Sequence, residues 1–123
     1  MTAGQSDAEV AERNEVTLAG RLAATADERT LPSGDPLVTF RVVVPRPPAR
    51  RATRERAPTI DTIDCVAWAA GVRRAALGWD PGDVVEVSGA LRRRFWRGNG
   101  VAVSRTEVEV HKARRLARSA APP

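Results

Sequence analysis

Residues that build metal centres, disulfides and membrane spans are scarce in this sequence of 123 residues, which has one cysteine, Cys65, and one histidine, His111. A single thiol cannot form an internal disulfide, and no cluster of cysteine and histidine offers a zinc site. No run of about 18 apolar residues occurs, so no membrane-spanning helix is expected. The polar, acidic residues 1–12 do not resemble a signal peptide. We therefore expect a cytoplasmic protein without a cofactor.

Catalytic motifs are equally scarce. The sequence has no glycine-rich phosphate loop and no serine, histidine and aspartate in the order of a catalytic triad. Asp61 and Asp64 are three residues apart, which places them on opposite faces of a strand and excludes a catalytic carboxylate pair. We therefore expect that the protein is not an enzyme.

Positive charge is the clearest feature of the composition. Lysine and arginine number 20 against 15 acidic residues, for a formal net charge of +5. Nearly every basic residue is arginine, whose planar guanidinium suits phosphate groups and stacks on bases. The charge favours an anionic partner. The arginine-rich codon usage of a GC-rich genome is the alternative explanation of this bias.

The chain divides into a flexible lead over 1–13, one domain over 14–112 and a flexible basic and proline-containing tail over 113–123. Period-two patterns separated by turn residues predict strands within the domain. A segment rich in alanine and arginine predicts one short helix after the third strand. The predicted strands are 15–24, 37–44, 59–68, 84–96 and 101–111, and the helix is 69–77. This order predicts an all-β protein, a five-stranded OB-fold barrel with one short helix between strands 3 and 4.

Alternation assigns the side chains to two faces. Val38, Phe40 and Val42 are expected in the core, and Trp79 at the helix exit is expected to pack as a cap. Gly20 and Gly89 fall on the inward side, where a tightly bent barrel strand has no room for a side chain. Further inward positions are Val85, Val87, Leu91, Val101 and Val103. A later change of phase to Val108 and Val110 predicts a bulge or a bend within the last strand.

The most informative stretch is Arg92-Arg-Arg-Phe-Trp-Arg97, followed by the hairpin tip Gly98-Asn-Gly100. In a strand, Arg92, Arg94 and Trp96 form one outward row of two cations beside a flat ring. Single-stranded nucleic acid presents phosphates and unstacked bases, which such a row satisfies, and each stacked base contributes roughly 1–3 kcal/mol. The alternative is a solvated hairpin whose tryptophan caps the edge of the core. Phe95 has core parity, and the sequence leaves open whether it packs in the core or across the hairpin.

Trp68 is the second predicted platform, because it shares the outward face of its strand with Thr62 and Asp64. Its alternative is a ring half-buried under the following helix. Arginines on the proline-rich loop 45–58 are predicted to meet phosphates, although they would also serve solubility alone. The predicted phosphate contacts are Arg92, Arg94, Arg97, Arg46, Arg50, Arg51, Arg54 and Arg56.

At this point the sequence resembles the bacterial single-stranded DNA-binding protein family over residues 14–112. The matching segments are Asn14-Glu-Val-Thr-Leu-Ala-Gly-Arg-Leu22, Leu31-Pro-Ser-Gly34, Val38-Thr-Phe-Arg-Val42, Gly82-Asp-Val-Val-Glu-Val-Ser-Gly-Ala-Leu91, Arg92-Arg-Arg-Phe-Trp96 and Thr106-Glu-Val-Glu-Val110. Their order and spacing together carry the resemblance.

The resemblance implies an OB-fold, a homo-oligomer (a tetramer or a dimer) and bases stacked on aromatic side chains. Trp96 and Trp68 fall at matching platform positions, whereas two further aromatic positions of the family fall near Pro48 and at Thr62. The acidic tip by which the family recruits repair proteins is missing, so that recruitment is not expected.

The sequence therefore predicts sequence-tolerant binding of single-stranded DNA in replication, repair or recombination, with no membrane partner. Two alternatives stay open. One is an OB-fold protein-interaction module, such as a primosome-type accessory protein. The other is an RNA-binding protein, because a stacking face does not by itself exclude the 2′-hydroxyl.

Overall fold

The structure, a computed structural model, describes residues 10–47 and 59–120. It contains six strands and one helix in the described residues. The elements are β1 (Val16–Leu22), β2 (Asp27–Thr30), β3 (Pro36–Pro45), β4 (Ile60–Ala67), α1 (Ala70–Leu77), β5 (Val84–Gly98) and β6 (Val101–Ala117). No helix in this part of the chain is long and apolar enough to cross a membrane.

Five of the strands close a barrel in the order β1-β5-β6-β4-β3, and pairing of β1 with β3 completes the circle. Only β4 and β6 run parallel; the other pairs are antiparallel. The helix α1 follows the third barrel strand. The predicted OB-fold is therefore confirmed. The additional strand β2 pairs with β3 outside the circle and was not predicted, because its four exposed polar residues carry no hydrophobic period.

Alternate residues of the barrel strands build the core, as the period-two patterns predict. Val38, Phe40 and Val42 of β3 are buried, and so are Val85 and Val87 of β5. In α1, Val72 and Ala76 are spaced by four residues and are the buried positions of the helix.

Trp79 closes the core where the chain leaves α1. Its ring is 5% exposed and meets Phe40 edge to face, with the ring centroids 5.4 Å apart and the planes at 89°. This is a favoured geometry for aromatic pairs. The predicted packing role of Trp79 and the core position of Phe40 are both confirmed.

Two glycines permit the close approach of neighbouring strands. A Cβ at Gly20 would overlap the carbonyl oxygen of Val43, and a Cβ at Gly89 would overlap that of Glu109. The sequence prediction that these inward positions have no room for a side chain is confirmed. A small barrel needs this approach because its strands bend sharply.

The irregularity predicted within the last strand is present, but it does not lie between Val103 and Val108 as the change of phase implied. The pairing of β5 with β6 is continuous from Gly89 opposite Val110 to Gly98 opposite Val101. The register instead shifts between Ser88, opposite Lys112, and Gly89. A second shift lies between Val84, opposite Ala117, and Val85, opposite Arg115, so the extra residues of β6 are His111 and Leu116.

Three predicted core positions are also wrong, for two different reasons. Leu91, opposite the buried Val108, keeps inward parity but is 46% exposed, because β5 and β6 continue past the end of the barrel. Val101 and Val103, opposite Gly98 and Trp96, lie on the outward face and are 62% and 37% exposed, because the predicted change of phase is absent between them and Val108. Beyond Leu91, β5 and β6 pair only with each other in the described residues. Asn14 lies where the two strands leave the barrel. Its side-chain amide donates to the Leu91 carbonyl oxygen and accepts from the Leu91 N–H, both at 2.8 Å.

Residues 113–117, predicted to begin a flexible tail, instead belong to β6, which runs to Ala117. Asp83, a buried carboxylate in the turn before β5, holds the end of this strand. Its oxygens accept from the backbone N–H of Ser119 at 2.7 Å and from Arg115 at 3.4 Å. It also accepts from the N–H of Asp80 at 2.9 Å. A carboxylate with several donors keeps its charge in a buried position.

We expect Gly89→Ala to destabilise the fold by about 1–3 kcal/mol, because the added methyl forces β5 and β6 apart. Urea denaturation measures the effect. Gly71→Ala is the matched control, since a Cβ at this helix position meets nothing within 4 Å. It should be neutral or stabilise by about 0.5–1 kcal/mol. Equal stability of the two variants would show that the strand contact is not tight.

We expect acid to weaken the Asp83 anchor. Hydrogen bonds from the N–H groups of Asp80 and Ser119, and then from Arg115, lower the pKa of Asp83. A lowered folded pKa gives stability that is complete above the unfolded pKa of about 3.9 and is lost as the pH falls through the folded value. Thermal melts from pH 7 down to pH 2 should show a lower Tm for Asp83→Asn at neutral pH and convergence with wild type in acid.

Asp80→Asn is the control for this titration, because the Asp80 side chain is exposed and only its backbone joins the turn. It should follow the wild-type curve. If Asp83→Asn also follows it at every pH, the anchor contributes no charge-dependent stability.

Candidate nucleic-acid interface

The ends of β5 and β6 form a two-stranded hairpin that projects from the barrel. Nearly all of its residues from Arg92 to Thr106 are exposed. At the tip, Asn99 and Gly100 both have positive φ, 52° and 77°. This is the pattern of the type I′ turn, whose twist matches that of two paired strands. The hairpin is therefore a ribbon that displays side chains on both faces.

The front face of the hairpin carries the row predicted from the sequence. Arg92, Arg94 and Trp96 alternate along β5, and their partners across the ribbon are Glu107, Arg105 and Val103. We call these six residues the front face. Cross-strand partners share a face of a sheet, so the assignment follows from the register.

The Trp96 ring is 44% exposed, and one cation lies against it. The guanidinium carbon of Arg105 is 5.6 Å from the ring centroid, within the range of a cation–π contact. Arg105 was not singled out in the sequence, because it comes from the other strand. Only the cross-strand register brings it to Trp96.

Carboxylates accompany the arginines of the front face. Arg92 donates to Glu109 at 3.3 Å, Arg94 lies 3.8 Å from Glu107, and Arg105 lies 3.9 Å from Asp64 of β4. The predicted phosphate contacts Arg92 and Arg94 are therefore both paired within the protein. The signal was present in the sequence as acidic residues at alternate positions of the last strand, but the partners follow only from the register.

The contacts of Glu109 favour its ionised form. Hydrogen bonds from His111, at 2.8 Å, and then from Arg92 lower the pKa of Glu109. Glu107 is 8% exposed, so it is largely shielded from solvent beside Arg94. The two cations of the predicted row thus each have a carboxylate partner that the sequence did not predict, Glu109 for Arg92 and Glu107 for Arg94.

Trp68 lies at the other end of the same outer surface. It follows β4, is 42% exposed and precedes α1, and Arg73 donates to its carbonyl oxygen at 3.0 Å. Because Val66 pairs with Glu109, Trp68 is level with His111, eight residues along β6 from the partner of Trp96. At about 3.3 Å per residue the two rings are roughly 25 Å apart. Trp68 is therefore partly exposed, and its ring is separate from that of Trp96.

The opposite side of the hairpin, which we call the reverse face, carries Arg93, Phe95 and Arg97 along β5. Arg97, predicted to contact phosphate, is therefore on the other side of the ribbon from Trp96. Phe95 is 73% exposed, so it packs neither in the core nor across the hairpin. The guanidinium carbon of Arg93 is 5.6 Å from its ring centroid.

Of the five loop arginines predicted to meet phosphates, the structure describes only Arg46. Its guanidinium donates to both carboxylate oxygens of Asp61 at 2.9–3.1 Å. This pairing raises the pKa of Arg46 and lowers that of Asp61. Arg46 is thus tied to β4 at the base of the loop. The others, Arg50, Arg51, Arg54 and Arg56, lie outside the described residues.

The remaining reactive side chains, Cys65, Asp61 and Asp64, have structural roles. Cys65 is 2% exposed, and burial raises the pKa of its thiol to about 12. A protonated, buried thiol is a poor nucleophile at neutral pH. Asp64 accepts from Arg41 at 3.1 Å, whereas Asp61 binds Arg46, so the two aspartates serve different pairs. In the described ranges no group of three or more histidine, cysteine, aspartate or glutamate residues could hold a metal ion.

The sequence matches a known protein family, and the fold matches a solved structure. A family model described as the single-strand binding protein family matches residues 13–116. Among solved structures, the SSB of Plasmodium falciparum in its complex with single-stranded DNA superposes with a TM-score of 0.70 at 22% sequence identity. The alignment covers 89% of this chain and 97% of that one, which supports a common fold. No curated protein matches the sequence.

Proposed function

The chain belongs to the single-strand binding protein family, and from this premise we propose that it binds single-stranded DNA by stacking bases on Trp96 and Trp68. The observation that carries the proposal is the Trp96 ring, half exposed on a projecting ribbon with Arg105 against it. A half-exposed ring beside cations suits an unstacked base and its phosphate. Because every base has a flat face, the binding is tolerant of sequence.

Phosphates meet the arginines of the front face, and Arg105 joins the set predicted from the sequence. Arg92 and Arg94 must exchange a carboxylate for a phosphate when DNA binds. The exchange reduces the net gain of each contact, because the protein loses one ion pair as it forms another. Base stacking therefore contributes a larger share of the binding free energy than the formal net charge of +5 suggests.

The family consists of non-enzymatic DNA-binding proteins, in agreement with the lack of a catalytic motif in the sequence. We further propose a role in DNA replication, repair or recombination, and self-association into a dimer or tetramer. Self-association is supported by apolar side chains outside the hairpin that are 40–49% exposed, such as Ile60 and Leu116 on the barrel and Leu77 on α1. Sedimentation equilibrium tests it directly.

We expect Trp96→Ala and Trp68→Ala each to weaken binding of an oligo-dT by about 1–3 kcal/mol, because each removes one stacking platform. Fluorescence anisotropy of labelled oligo-dT gives the Kd. Val101→Ala is the control, since Val101 is an exposed apolar residue of the same hairpin without a ring. Unchanged affinity in both tryptophan variants, with an intact fold, would contradict the proposed function. Tighter binding of a matched RNA oligomer would instead identify an RNA-binding protein.

We expect Glu107→Gln to tighten binding, because it leaves Arg94 without its carboxylate partner. The slope of log K against log salt should steepen by up to about 0.7, the value for one phosphate contact on a single strand. Glu28→Gln removes the same charge from the exposed strand β2 and should have a smaller effect. If the two variants bind alike, only the overall charge matters and the pair with Arg94 does not limit binding.

A further inference from the structure

The reverse face of the hairpin carries an aromatic ring and arginines that the binding proposed for the front face does not account for. Arg93, Phe95 and Arg97 alternate along β5, and the residues opposite them in β6 are Thr106, Ser104 and Ala102. All six are exposed. The barrel core ends before this row begins, so the phenylalanine has no interior to pack against.

The Phe95 side chain is largely exposed to solvent rather than buried in the protein. Its side chain is 73% exposed, more than the 44% of Trp96 on the other face. Arg93 covers part of the ring, and the same guanidinium donates to the Ser104 hydroxyl at 2.9 Å. The hydroxyl thus holds the cation beside the ring, so an aromatic surface and a positive charge are fixed together.

Charge separates the two faces further. Within residues 10–47 and 59–120, neither Arg93 nor Arg97 pairs with a carboxylate, and their cross-strand partners are a threonine and an alanine. On the front face, Arg92, Arg94 and Arg105 all have carboxylate partners. The cations of the reverse face can therefore meet a phosphate without giving up an ion pair.

We propose that the reverse face is a second binding site for the same single strand, with a base stacked on Phe95 and phosphates on Arg93 and Arg97. The inference rests on the proposed function and extends it. Phe95 and Trp96 are consecutive residues on opposite faces of the ribbon, so their rings are separated only by its thickness. The tip between the faces, Gly98-Asn-Gly100, carries no bulky side chain. A strand that stacks on Trp96 turns over this tip and stacks again on Phe95.

The chemistry of the face favours a nucleic acid over a second protein. A stable protein interface buries about 800 Å² on each partner and has an apolar centre. One ring between two cations offers little apolar area for such a contact. It matches the alternation of flat bases and phosphates along a single strand.

The direct test places a fluorescent reporter on each face. Trp96→Phe removes the front-face fluorophore, and the double variant Trp96→Phe with Phe95→Trp moves it to the reverse face. The difference between the two spectra isolates position 95 from Trp68 and Trp79. We expect saturable quenching of this difference signal by an oligo-dT long enough to pass the tip. An absence of quenching at saturating DNA would overturn the inference.

The affinity test uses Phe95→Ala, with Phe95→Leu as the variant that keeps an apolar side chain without a ring. We expect both to raise the Kd for the long oligo-dT about ten-fold. A short oligomer that occupies one face should be unaffected. Arg93→Gln and Arg97→Gln should each reduce the salt slope by about 0.7. Thermal melts check that each variant folds, which is expected since Phe95 is 73% exposed.

The outcomes separate this inference from the proposed function. If Trp96→Ala weakens binding and Phe95→Ala does not, the strand uses the front face alone and the inference is wrong. If neither weakens binding, the proposed function itself fails. If Phe95→Ala lowers the oligomeric state in sedimentation equilibrium and leaves DNA affinity unchanged, a second copy of the chain covers the reverse face, which also overturns the inference.

Discussion

The register between β5 and β6 is the constraint on which the rest of the interface depends. A two-stranded ribbon displays side chains on both faces, and a shift of one residue moves each side chain of one strand to the other face. Continuous pairing from Gly89 opposite Val110 to the tip puts Trp96 beside Arg105 and puts Phe95 on the other side. The absence of a side chain at Gly89 helps to fix this register, because only glycine allows the backbone of β6 to approach so closely there.

The barrel ends before the strands do. β5 and β6 have 15 and 17 residues, whereas β1 has seven, so the surplus length forms the hairpin. The ribbon has no core beneath it, and an isolated ribbon is only marginally stable. Its stability comes from the type I′ turn and from cross-strand contacts, such as those of Arg92 with Glu109 and of Arg93 with Ser104. The carboxylates of the front face therefore have a structural role as well as an effect on binding.

The two faces of the ribbon combine stacking and charge in different ways. On the front face each guanidinium has an acidic neighbour, which neutralises it and holds its position. On the reverse face the guanidinium of Arg93 is held by a neutral hydroxyl and keeps its full charge for a ligand. A basic sequence is therefore a poor guide to where a protein attracts phosphate. Whether each cation already has a carboxylate partner decides where a phosphate is attracted.

The sequence by itself determined the barrel, because the alternation of apolar residues and the glycines at positions 20 and 89 are local features. It also located the basic and aromatic run from Arg92 to Arg97 and the outward row with Trp96, since parity depends only on neighbours in the chain. Only the tertiary structure decided which charges are compensated. Arg92 and Glu109 are 17 residues apart, and Asp83 and Ser119 are 36 apart, so their pairing depends on strand register. The exposure of Leu91 likewise depends on where the barrel ends, because a strand continues its alternation whether or not a core lies beneath it. The exposure of Val101 and Val103 depends on the unbroken register, which places them on the outward face opposite Gly98 and Trp96.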